Sequence, residues 1–278
     1  MKPALLIAVL TAVVILHAQP GARFDVASIR PATPDGPFMF GIRPLPGGGI
    51  TAANVTLKLL IQRAWDLQGF QISGGPGWIE TDRYNVEAKP ASQAGPNESN
   101  EMLRNLLADR FHLTFHRETK EIPAYDLVLA KSGGKPGPRM VESKAGGCVT
   151  RDPSKPVQPP APGQPPFCGN VLGGASQITA TAAAPADIVS TLSRIVGRKV
   201  IDKTGVTGRY DITLNYTPDE YQRAMMALPG APAPQLPADN SGPSLFTALQ
   251  EQLGLKLEAA KAPVEIFFID HAEKPSGN

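Results

Sequence analysis

Gln71-Ile-Ser-Gly-Gly-Pro-Gly-Trp-Ile-Glu-Thr-Asp-Arg-Tyr-Asn-Val-Glu-Ala-Lys-Pro90 is the stretch whose reading decides the fold. It reads as a strand, a glycine-rich turn, a Trp-bearing connection and a second strand that opens at Arg83-Tyr84. A weaker copy follows at Lys199-Val-Ile-Asp-Lys-Thr-Gly-Val-Thr-Gly-Arg-Tyr-Asp-Ile-Thr-Leu-Asn-Tyr-Thr-Pro218. A recurrence of this kind predicts a protein built twice from one unit.

Working outward, the same relation holds in three segments. Ile50-Thr51-Ala52 matches Ile178-Thr179-Ala180, and Leu60-Ile61 matches Ile188-Val189, all at an offset of 128. Arg83-Tyr84-Asn85-Val86 matches Arg209-Tyr210-Asp211-Ile212 at 126, so the second turn is two residues shorter. Leu103 to His116 matches Leu245 to Glu258 at 142, with apolar residues kept at paired positions. Leu57, Leu60, Ile61 and Ala64 recur at helical spacing, which predicts a helix over 57–67 capped by Thr56 and ended at Gly69. Met102, Leu103, Leu106, Leu107 and Phe111 predict a second helix, with Ser99 as its cap. Leu113 and Phe115, then Tyr125, Leu127 and Leu129, alternate as two strands of a hairpin broken at Pro123. Short strands are also expected at 24–31 and at Phe38–Ile42. The predicted class is α+β: two pseudo-repeats of strand–helix–strand–strand–helix–strand–strand, with helices packed on antiparallel or mixed sheets.

The predicted organisation is a signal segment over 1–22, a first repeat over 23–135 and a Pro-rich loop over 136–175. A second repeat over 176–272 carries a loop insert at 219–243, which opens with a short helix at 219–227, and a tail occupies 273–278. Lys2 precedes the apolar run Ala4 to Leu16, which is too short for a comfortable membrane span and fits a signal-peptide core. Cleavage fits after Ala18 or Ala22, and an uncleaved anchor helix is the alternative. No other stretch approaches spanning length. The net charge of +2 over 278 residues gives no field for nucleic acid or anionic membranes. Cys148 and Cys168 flank the Pro-rich stretch 20 positions apart, and in an exported protein a disulfide is the natural reading, with two free thiols as the alternative.

The residues carry little recognisable chemistry. His112 and His116 would converge on a metal from a helix, but on a strand they lie about 13 Å apart. His271 beside Asp270 reads as a solvated strand end. No Gly-x-Ser-x-Gly elbow, phosphate loop or dinucleotide fingerprint occurs in the sequence. Glu80, Asp82, Glu87 and Asp109 are the carboxylates available for acid–base work. No catalytic residue, metal ligand or cofactor is assigned. Trp65 falls on the apolar stripe of its helix. Trp78 follows a Gly-Pro-Gly turn, and Gly75, Pro76, Trp78 and Arg83 form the candidate binding loop. The recurrence of Arg83 as Arg209 points to structure, such as a cross-strand cation–π or ion pair.

Phe24-Asp-Val-Ala-Ser-Ile-Arg-Pro31, Gly75-Pro76-Gly77-Trp78, Asp82-Arg83-Tyr84 and Leu106-Leu107-Ala108-Asp109-Arg110-Phe111 together resemble the DUF3738 family. Val200-Ile201-Asp202-Lys203-Thr204-Gly205 and Gly208-Arg209-Tyr210-Asp211 complete that resemblance over nearly the whole mature chain. These are exported proteins abundant in soil Acidobacteria, without an assigned reaction, and some resemble extensions of membrane metallopeptidase sensors. Each half also resembles the short N-terminal module of secretins and TonB-dependent receptors, most clearly at Leu245-Phe-Thr-Ala-Leu-Gln-Glu-Gln-Leu-Gly-Leu-Lys-Leu257. That resemblance implies a periplasmic interaction domain. The expected function is therefore an exported, non-enzymatic protein that binds an envelope protein or peptide. A hydrolase with its site between the repeats and a sensor partner of a membrane metallopeptidase are the alternatives.

Overall fold

The computed structural model describes residues 22–33, 41–131, 133–144, 146–150, 161, 163–174, 176–219 and 242–275. The expected signal core, residues 38–40 of the expected strand at 38–42 and nearly all of the expected helix at 219–227 lie outside these residues. The described residues form an α+β structure of three four-stranded sheets. The first outer sheet contains β1 (Val26–Pro31), β2 (Gly41–Pro44), β3 (Ile50–Thr56) and β5 (Arg83–Lys89) in the order β1-β5-β3-β2. The second contains β7 (Met140–Glu142), β8 (Asn170–Gly173), β9 (Gln177–Ala183) and β11 (Tyr210–Asn215) in the order β7-β11-β9-β8. Neighbours in both are antiparallel. Strands β7 and β8 therefore lie within the Pro-rich span, whose residues 151–160 are outside the described ones.

Between them lies the central sheet, ordered β10-β6-β12-β4. Its middle strands are β6 (Thr114–Leu129) and β12 (Leu255–His271), which pair antiparallel from Leu255↔Leu129 to Ile269↔Phe115. Strands β4 (Ile72–Gly74) and β10 (Lys199–Asp202) add in parallel at opposite edges, with Ile72↔Phe267 and Val200↔Tyr125. The expected hairpin broken at Pro123 is thus one continuous strand, in which Pro123 sits opposite Lys261 and Pro263 opposite Glu121. The reason is local. Strand β10 begins beside Ala124 and β4 begins beside Phe267, so between them the ribbon is two-stranded. A proline there faces an open edge and removes no ladder bond.

Helix α1 (Leu57–Trp65) starts as expected, with the Thr56 hydroxyl accepting from the Leu59 N–H. It ends earlier than Gly69, because Asp66 turns left-handed and its N–H bonds the Gln62 carbonyl. A short helix α2 (Trp78–Thr81) follows the glycine-rich turn. Helix α3 (Pro96–Phe111) is capped by Gly95, and Ser99 is buried in its first turn. Pro96 at the first helical position moved the start back, since proline needs no N–H partner there. Helix α4 (Pro185–Val196) also opens on proline, with the Asp187 carboxylate accepting from the Ala184 N–H. Helix α5 (Leu245–Ala248), capped by Ser244, runs on through a π-helical turn, Leu249–Leu253.

Two hydrophobic cores result. Leu57, Leu60, Leu107, Phe111 and Tyr84 belong to the first, together with Phe267 and Ile269 from β12. Ile178, Leu192, Ile212, Leu249 and Leu255 belong to the second, together with Leu127 from β6.

Each outer sheet is bent by one bulge held in the same way. In β3 the register slips between Ala52 and Val55, and Asn54 takes φ +55°. The Arg83 guanidinium donates to the Asn54 carbonyl (3.0 Å), and the Asn54 N–H donates to the Asn85 side-chain carbonyl (2.9 Å). In β9, Ala182 takes φ +44°; Arg209 donates to its carbonyl (2.8 Å) and its N–H donates to the Asp211 carboxylate (2.9 Å). The neighbouring strand follows suit. The Ala32 N–H bonds the Arg83 carbonyl, and the Ser143 N–H bonds the Arg209 carbonyl. The Arg-Tyr-Asx motif is therefore a bulge clamp. Its Arg and Asx reach both polar groups of a residue that cannot join the ladder.

Asp211→Ala and Asn85→Ala each leave a bulge N–H without its acceptor. Each should lower unfolding stability by about 1 kcal/mol, read as a lower urea midpoint at unchanged slope. Asp211→Asn should be nearly neutral, because asparagine performs this task in the first sheet.

Candidate functional site

The glycine–tryptophan loop leaves β4 at the end of the central sheet. Gly74 and Gly75 have φ of +74° and +75°. A Cβ on Gly74 would lie 2.8 Å from the Ile269 carbonyl oxygen, and one on Gly75 would lie 3.0 Å from the Ile269 side chain. Both glycines are thus needed for the chain to pass over β12. A Cβ on Gly77 would meet nothing within 4 Å, and Pro76 is half-buried. Trp78 is half-buried on α2. Its ring stacks on Phe111 at 6.4 Å, and the Lys274 ammonium lies 5.9 Å from its centroid. Lys274 also pairs with Asp82 at 2.6 Å. Arg83 lies at the start of β5 with its guanidinium on the Asn54 carbonyl. The loop residues Gly75, Pro76 and Trp78 are thus close together, while Arg83 serves the bulge. Trp65 packs against the first core, edge-on to Phe115 at 5.2 Å.

The remaining polar candidates are distributed. Glu80 pairs with Lys58 (2.7 Å), Asp109 with Arg23, and Glu87 lies in the ladder between Ser28 and Thr51. His112 is not on a strand; it ends α3 in a left-handed turn with φ +47°. His116 on β6 meets Asp270 at 2.7 Å. His112 (3.3 Å) and His271 (2.9 Å) meet opposite oxygens of Glu273. The Glu273 N–H in turn bonds the Phe111 carbonyl at 2.7 Å. Residues 271–274 therefore strap the end of α3 and the α2 corner together. Their partners are distant in sequence, so no local signal marks the strap. The hydrogen bond from His271, and then the charge of His112, hold the Glu273 carboxyl below its ordinary value of 4.5. Among the described residues, no group of three or more His, Cys, Asp or Glu could hold a metal ion.

The second outer sheet carries the disulfide. Cys148 and Cys168 are bonded, with Cα atoms 5.0 Å apart. Beside them Val149 and Phe167 form a parallel bridge. The Gly169 N–H reaches the Thr181 and Ala182 carbonyls, which seats the disulfide next to the second bulge. The edges of the two outer sheets differ. Strands β1 and β2 carry Arg30-Pro31 and Arg43-Pro44. Strands β7 and β8 carry no proline, and present Val141 (58 % exposed) and Leu172 (61 % exposed). Val26 at the first position of β1 is also exposed. Sequence reasoning missed β7 and β8 as edges, because three- and four-residue strands in a Pro- and Gly-rich span show too little periodicity.

A family model described as a protein of unknown function, DUF3738, matches residues 58–272. The chain belongs to the DUF3738 family. The match runs from within α1 to Ala272, so it takes in the second core, much of the first, the glycine–tryptophan loop, the disulfide and the whole of β12. No curated protein and no solved structure matches the chain. Among the described residues, no helix is long and apolar enough to cross a membrane.

Two outcomes follow from this geometry. The folded pKa of Glu273 lies below its unfolded value, so the strap's contribution is present above about pH 4.5 and is lost as pH falls through the lowered value. Amide-exchange protection at Glu273, corrected for intrinsic rates, should fall in that window, and Glu273→Gln should abolish the dependence. Replacing Cys148 and Cys168 by serine should cost up to about 3 kcal/mol in the chain-entropy account of a loop this size, measured by chemical denaturation against the oxidised protein.

Proposed function

We propose that the chain is an exported, non-enzymatic interaction protein that receives an extended segment of an envelope protein by strand addition at the β8 edge. The observation that carries this reading is the asymmetry of the two outer sheets. Natural sheet edges are blunted by charge and proline, as Arg30-Pro31 and Arg43-Pro44 blunt the first sheet. The β8 edge has neither, and Leu172 stands exposed in one row with Thr179 and Thr213. An added strand would gain main-chain hydrogen bonds along Asn170–Gly173, and its apolar side chains would cover Leu172. Export is supported by the basic start and apolar run of residues 1–22 and by the disulfide.

In this reading the chain consists of two equivalent modules, each similar to the short N-terminal module of secretins and TonB-dependent receptors. The two bulge clamps, with matching donors and acceptors at offsets of 126 and 128, support that equivalence. One copy has blunt edges and the other kept an open one. Gly75 shapes the loop, Arg83 holds the bulge, and Pro76 with Trp78 offers a second, smaller contact at the far end of the central sheet.

A phage-displayed random peptide library panned on the mature chain should enrich β-prone peptides with alternating apolar residues, and Leu172→Lys should lose them at unchanged stability. Enrichment that survives Leu172→Lys, or bound peptides that protect amides elsewhere than 170–173, would sink the proposal.

A further inference from the structure

We infer that the two modules have exchanged their last strands within one chain, so that each core is completed by the half of the sequence that belongs to the other. This rests on the two-module reading above but not on the proposed binding.

Three observations carry it. The first is core membership. Phe267, Ile269 and Ala272 are buried with residues 29–113, while Leu127 is buried with residues 140–255. The second is register. Strand β4 pairs in parallel with the end of β12 at Ile72↔Phe267, and β10 with the end of β6 at Val200↔Tyr125. Ile72 and Val200 differ by 128, and Tyr125 and Phe267 by 142, which are the offsets of the repeat itself. A single two-fold relation therefore accounts for both pairings.

The third is what the long ladder replaces. A closed module would fold Leu113–Arg117 back on Tyr125–Leu129 as a hairpin, with Leu113 opposite Leu129. In the structure Leu129 has Leu255 opposite it instead, and Leu255 is the counterpart of Leu113 at the 142 offset. The same neighbour is supplied from the other module, which is the relation that strand exchange produces. The would-be turns explain why the hairpins stay open. Ile122 precedes Pro123 and Ala262 precedes Pro263, and a residue before proline is biased to extended backbone. The two prolines fall where the ribbon is only two-stranded, so an open hinge costs them no hydrogen bond.

The consequence is that the sequence boundary between the halves is not the structural one. Among the described residues, those within 124–262 form one body, and those within 22–121 together with 264–275 form the other. Leu127→Ala, although in the first half of the sequence, should loosen the second core. Ile269→Ala, next to the C-terminus, should loosen the first. Both side chains are fully buried, so removal should cut amide-exchange protection in the affected core roughly 100-fold. The readout is amide exchange of the full mature chain, resolved by segment over 50–113 and 178–255. Leu127→Met and Ile269→Val are the milder variants should either truncation fail to fold. The expected result is crossed: Leu127 variants deprotect 178–255, and Ile269 variants deprotect 50–113. Deprotection confined to the sequence-local half would overturn the exchange and leave the two modules standing. Equal deprotection of both regions by either variant would overturn the two-module reading with it.

Discussion

The ladder between β6 and β12 is the constraint on which the rest of the structure depends. Among the described residues it reaches both cores, with Phe267 and Ile269 at one end and Leu127 and Leu255 at the other. Sixteen residues of β6 face seventeen of β12, and a one-residue slip would turn every inward side chain to the opposite face. At one end Phe115, Phe267 and Ile269 join the first core, and at the other Leu127, Leu129, Leu255 and Leu257 join the second, all at odd positions, which fixes the register from both ends at once. Strands β4 and β10 add at the two ends of the ladder. The glycine–tryptophan loop is positioned by the same ladder, because Gly74 and Gly75 must clear Ile269.

The bulge clamps work at a smaller scale. Asn54 and Ala182 sit in left-handed backbone that a non-glycine residue adopts at a cost. A guanidinium on the carbonyl and an Asx side chain on the N–H hold each of them there. The clamps also set where the chain next goes, since the carbonyl of each clamping arginine receives the N–H of the strand beside it. In the second sheet the disulfide closes on the same corner. Strands β7 and β8 are the edge strands of that sheet. The two outer sheets thus share one kind of bulge clamp, while Arg-Pro pairs stand on both edge strands of the first and on neither β7 nor β8.

Much of this was legible in the sequence where the signal was local. Thr56 before an amphipathic run, Pro185 before another, the alternation at Tyr84-Val86-Ala88 and the paired cysteines each mark their element. The Arg-Tyr motif was legible as structural, but its partner was not, because a bulge is a property of two strands rather than one. Pro123 was misleading for a related reason. Proline ends a strand only when its missing N–H matters, and that depends on whether a neighbour lies alongside. Ser99 lost its capping role to Gly95 because Pro96 suits the first helical turn. His112 reads as strand in sequence and ends a helix in the structure, where Glu273 rather than His116 is its partner.

The sequence by itself determined the α+β class, the helices and strands marked by periodicity and caps, the disulfide, and the family, whose motifs run through both halves. These follow from short-range physics: alternation, helical spacing, and the backbone habits of glycine and proline. Only the tertiary structure decided which half completes which core, where the edges lie, and that residues 271–274 close over α3 and Trp78. Local preference is the same for a strand folded back on its own half of the chain and one reaching into the core of the other half. The choice between them rests on contacts between residues more than a hundred positions apart, and no single stretch of the chain records it.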